Sequence, residues 1–89
     1  MTEAQFIKSN EGLFDELILR TWDPFQVVPD HTHPFYIKAL VTRGTMWLTV
    51  RGDEYALTVG DVFELDYEET HSERYGSEGA SYLVARRSR

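Results

Sequence analysis

The chain contains no cysteine, which removes disulfide staples, thiolate metal ligands and cysteine nucleophiles together and leaves the redox compartment open. It is also short of positive charge. Nine Lys and Arg stand against fifteen Asp and Glu, a formal balance of −6, and a field of that sign repels phosphate backbones and anionic lipid headgroups. Neither nucleic acid nor a membrane is therefore an expected partner. The ending Ala85-Arg86-Arg87-Ser88-Arg89 is the one basic exception, and it reads as a solvated tail. No apolar run approaches membrane-spanning length, and Met1-Thr2-Glu3-Ala4-Gln5 lacks the basic start and apolar stretch of a signal peptide. A cytoplasmic location is the expectation. Internal repeats, low-complexity stretches and linker composition are missing too, so nothing argues for modules or tethers.

What is present is apolar. At 42% hydrophobic and 13% aromatic residues, the chain is too rich in core formers to remain disordered. Its 89 residues suffice for one core, but a chain of this size buries only about 60 to 65% of its unfolded surface and gains from a bound metal or a partner subunit. From Leu13 onward, short apolar or alternating runs recur between turn residues, the pattern of an all-β sandwich or barrel. Strands are predicted at about 17–22, 35–43, 45–51, 54–59, 62–65, 71–76 and 81–86. Arg43-Gly44-Thr45 and Arg51-Gly52-Asp53 interrupt β-favouring runs and read as tight hairpin turns, which makes three successive strands a meander. Residues 1–12 form a separate N-terminal segment, a short helix or an added edge strand, ahead of a single barrel domain over 13–89.

The three histidines fall in two places, His31-Thr32-His33 and Thr70-His71. On a strand, residues i and i+2 project to one face, so His31 and His33 can present two imidazole nitrogens to one ion. His71 opens a later strand and supplies a third nitrogen if the barrel sets that strand beside the first segment.

His31-Thr32-His33-Pro34 followed by Gly44, and Gly60-Asp61 followed by His71, resemble the two motifs of the cupin family. The resemblance covers about residues 25 to 75 and implies an all-β double-stranded β-helix, or jelly-roll barrel, with a metal inside. The sequence departs from the motifs at three points. Phe25 stands where the family has a glycine six residues before the first histidine, and Asp66-Tyr67-Glu68 replaces Pro-x-Gly. Counting back seven from Gly44, Ile37 occupies the position of the family's glutamate ligand. Parity supports that alignment, because His31, His33, Phe35, Ile37, Ala39 and Val41 fall on one strand face.

Three neutral imidazoles leave an ion's charge uncompensated, which favours an anionic ligand. A nearby acid is the alternative. Glu73 shares the strand parity of His71 and is the favoured replacement, with Glu69 and Glu64 as the other candidates. Neutral imidazole suits iron, nickel, copper or zinc. Arg20, Trp22, Tyr36, Ile37, Trp47 and Tyr82 are candidate pocket-lining residues, aromatics and a cation suited to an acidic organic substrate. The resemblance implies a mononuclear metalloenzyme of dioxygenase, isomerase or lyase type acting on a small organic molecule. The alternative is a non-catalytic cupin that captures a small ligand or is merely stiffened by its metal. A homodimer is expected, since small jelly rolls leave sheet edges that a second copy can cover.

Overall fold

A computed structural model describes all residues, 1–89. One helix, α1 (Glu3–Asn10), precedes six strands: β1 (Glu16–Trp22), β2 (Val27–His31), β3 (Tyr36–Val50), β4 (Asp53–Thr58), β5 (Val62–Leu65) and β6 (His71–Arg87). All pairings are antiparallel, and β3 and β6 are long enough to take part in two layers. Their outer halves, Tyr36–Gly44 and Ala80–Arg87, lie between β1 and β5. Their other halves, Met46–Val50 and His71–Tyr75, lie between β2 and β4. Two four-stranded layers thus share two strands, the arrangement of a jelly roll.

The expected turn at Arg43-Gly44-Thr45 is not a turn. β3 runs straight through it, and the strands predicted at 71–76 and 81–86 are likewise one continuous β6. What the glycines mark is the crossing from layer to layer. Gly44 has φ +75°, and a Cβ there would lie 2.0 Å from the Gly79 carbonyl oxygen; Gly79, at φ +69°, would meet the Trp22 carbonyl oxygen at 2.3 Å. Only glycine permits both the left-handed backbone and that approach. Register shifts flank Gly44, and across them the side-chain alternation reverses. The inward-facing buried positions of β3 are Ile37, Ala39 and Val41 before the crossing and Met46, Leu48 and Val50 after it. In β6 they change from His71, Glu73 and Tyr75 to Ala80, Tyr82 and Val84.

The turn at Arg51-Gly52 does form, with φ of 52° and 80°, as a two-residue hairpin between β3 and β4 requires. The N-terminal segment resolves as a helix. Thr2 and Gln5 cap it reciprocally, with bonds of 3.2 and 2.9 Å. Phe6, fully buried, packs with Leu40 and Ala85 on the outside of the β1–β5 layer. No helix is long and apolar enough to cross a membrane.

β2 was absent from the predicted strands, because Val27-Val28-Pro29-Asp30-His31 contains a proline and too little alternation. It survives as an edge strand, paired only with β6. The basic ending is not a free tail either. Arg86 and Arg87 belong to β6; the Arg86 guanidinium sits 4.5 Å from the Phe35 ring centre, and that of Arg87 4.9 Å from the Tyr36 ring centre. Aromatic faces and the Arg86–Glu16 ion pair draw these side chains onto the fold.

Candidate metal centre

His31 closes β2 and His71 opens β6, and the two are register partners. Their ring centres are 4.1 Å apart. Each Nδ1 lies against a backbone carbonyl two residues earlier: Pro29 at 2.8 Å for His31, Glu69 at 2.9 Å for His71. A carbonyl only accepts, so in the neutral ring Nδ1 carries the proton and Nε2 is left with its lone pair. This is how outer partners orient metal-ligating histidines.

His33 lies beyond the end of β2, in the connection to β3. Pro34 cannot donate to a ladder, which breaks the strand that parity alone would run from 31 to 41. The inward alternation nevertheless holds, for His33, Phe35 and Ile37 all line the same cavity. The His33 carbonyl accepts the Glu68 N–H at 2.8 Å, and the ring centre is 4.9 Å from those of His31 and His71. Burial, then the neighbouring His71 and His31, hold its pKa below the ordinary 6.5, favouring the neutral ring. The ligating atoms of all three histidines lie within 4.8 Å of one another.

Glu73 reaches the same point. It is 6% exposed, and its Oε2 lies 3.4 Å from His31 Nε2 and 3.7 Å from His71 Nε2. Its Oε1 accepts the hydroxyls of Tyr75 at 2.7 Å and Tyr82 at 3.2 Å. Burial, and after it the nearby acidic groups, push both phenols well above their ordinary range, so they stay protonated and donate. The other candidate acids point elsewhere. Glu64 accepts the Tyr36 hydroxyl at 2.6 Å and lies 3.6 Å from Lys38 Nζ, while Glu69 pairs with Arg51. Ile37, 6% exposed, gives β3 no carboxylate at the family's glutamate position.

The cluster opens into a cavity of about 280 Å³. Of the candidate lining residues, Arg20, Trp22, Ile37 and Tyr82 border it. Tyr36 and Trp47 do not. Tyr36 stacks outside against Phe14, its pKa raised to about 12 by the hydrogen bond to Glu64, and Trp47 lies under Arg74 on the outer surface. Both occupy strand positions of outward parity next to inward Ile37 and Leu48. Arg86 also lines the cavity, although it is not among the residues predicted to do so. The signal was there, since inward parity passes from Tyr82 through Val84 to Arg86 once the strand is allowed to continue.

Two departures from the cupin motifs leave the backbone unchanged in kind. Phe25 and Glu68 stand where glycines are expected, and both adopt left-handed φ, +59° and +55°. The loops keep a glycine conformation without glycine.

The chain matches the AraC-like ligand binding domain over residues 15–85. No curated protein matches. Among solved structures, a Rhizobium leguminosarum bv. viciae 3841 protein of unknown function superposes with a TM-score of 0.77 at 18% identity, over 82% of this chain and 69% of the other. The cupin domain of Schizosaccharomyces pombe Cnp3 gives 0.76 at 13%, over 85% and 57%. The DMSP lyase DddQ of Ruegeria pomeroyi DSS-3 gives 0.74 at 19%, over 80% and 36%. At such identities the likeness is one of fold. With the two-layer barrel and the family match covering most of its length, the chain is a small cupin and belongs to the AraC-like ligand binding domain family.

Proposed function

We propose that the chain binds one divalent transition metal ion on His31, His33 and His71, with Glu73 as a fourth ligand, and through it binds a small organic molecule in the barrel. The observation that carries this is a meeting of acceptors: the Nε2 lone pairs of His31 and His71 face Glu73 Oε2 at 3.4 and 3.7 Å, with both Nδ1 protons committed to carbonyls. Lone pairs gathered in this way repel until a cation or proton stands among them. Three nitrogens and one carboxylate oxygen suit iron, nickel, copper or zinc, and an ion held there supplies Lewis acidity to ligand oxygens.

The chain's own residues do the rest. Tyr75 and Tyr82 fix the Glu73 carboxylate, the two carbonyls fix the imidazoles, and the apolar wall excludes water. Family membership supports ligand binding. Turnover, in a mononuclear metalloenzyme of dioxygenase, isomerase or lyase type, is the second reading, favoured by a buried carboxylate able to take a proton from a bound substrate. Elemental analysis of untagged protein, followed by a screen against small diols, keto acids and thiols with oxygen uptake recorded, tests both. About one metal ion per chain with saturable binding supports the proposal, and turnover that vanishes in His71→Ala makes the protein an enzyme. Protein that takes up neither metal nor ligand refutes it.

A second copy of the chain is the partner we propose for β1, an edge strand whose Leu17 and Leu19 are 47% and 59% exposed. Light scattering should give twice the chain mass; a monomer at micromolar concentration would count against it.

A further inference from the structure

The charges in the cavity wall run opposite to those of the chain. Against a formal balance of −6 overall, the lining holds two arginines, Arg20 and Arg86, and a single carboxylate, Glu73. Glu73 is already engaged by two tyrosine hydroxyls and faces two imidazoles. Arg20 has no carboxylate partner; its guanidinium rests 5.1 Å from the Trp22 ring centre. Arg86 gives its Nη2 to Glu16, an exposed residue outside the cavity, but its Nε–H is buried with no hydrogen-bond partner. Leaving such donors unmatched in a protein interior is costly, and charged ones most of all. A neutral ligand would satisfy them poorly.

We propose that the ligand of this cavity is a small organic acid whose negative charge is met by Arg20 and Arg86. This rests on the reading of the cavity as a ligand site. Its volume of about 280 Å³ suits a small organic molecule. Ile18, Phe63 and Val84 line the same space and give it room for a short aliphatic body. An ion on the histidines would add positive charge and strengthen the preference.

Calorimetric titration of metal-free and zinc-loaded protein with three probes tests this: 2-oxobutyrate, its uncharged amide, and xylose as a neutral polyol. The acid should bind about tenfold or more tightly than the amide or the sugar, as expected for a charge-assisted contact. Arg86→Met should weaken the acid by about tenfold and the amide by less, with zinc content unchanged. Arg20→Met, at an exposed position, provides the same test if the Arg86 variant fails to fold. Equal affinity for acid and amide, or no binding of any probe, would overturn the inference. Loss of zinc uptake with the acid preference intact would instead refute the metal proposal alone.

Discussion

His31 and His71 differ from His33 in what holds them. The first two sit on paired strands, each with Nδ1 donating to a carbonyl two residues back. The third sits in a connection and is placed only through its backbone, by the Glu68 N–H on its carbonyl oxygen. The proposed centre therefore has two candidate ligands oriented by the fold and one that the loop merely brings near. Preorganised ligands lose little freedom on binding, so they should carry more of the affinity.

The largest effect expected is from His71→Ala, which should take metal content from about one ion per chain to near none by elemental analysis. His33→Ala should retain measurable, weaker binding, because His31, His71 and Glu73 stay in place; equal losses for the two variants would break the distinction. Tyr75→Phe removes a hydroxyl from Glu73 Oε1 while leaving the imidazoles alone. Metal affinity should fall by about tenfold and stability by about 1 kcal/mol, read by competition titration and denaturant unfolding.

The loop under His33 gives a change of the opposite sign. Glu68 holds a left-handed backbone at φ +55°, so Glu68→Gly should raise stability by about 1 kcal/mol with the His33 carbonyl contact preserved. A drop in stability would mean that the glutamate side chain matters more than the strain. The smallest effect concerns pH. His33 has its pKa lowered by burial and by its histidine neighbours, so the unfolded chain takes up the proton first as pH falls. Metal-free protein should be fully stabilised in this respect above about pH 6.5 and lose stability below it. His33→Gln should flatten that slope in urea melts at pH 5 to 7.

Much of this site was legible because its signals are short-range. Alternation put His31, His33 and Ile37 on one face, and the same rule gave Glu73 the orientation of His71. The hidden parts depend on what two strands do to each other. Gly44 looked like a hairpin turn because, locally, a left-handed glycine between β-formers is one; that Gly79 passes beneath it is a tertiary fact. The crossing also reverses parity in β3 and β6, so no single alternation can be read through either strand. Arg86 was lost for a related reason. A run of arginines at the end of an acidic chain resembles a solvated tail, and only pairing with Glu16 of β1 and Ile37 of β3 shows that β6 continues through it.

The central claim is that imidazoles forty residues apart along the chain share one ion with Glu73. Anomalous scattering from crystals of zinc-loaded protein tests it most directly. A single zinc peak is expected about 2.0 to 2.1 Å from a nitrogen of each of His31, His33 and His71, with Glu73 Oε2 in the coordination sphere. A barrel crystallised in excess zinc with no peak there, or with the ion bound elsewhere, would contradict it.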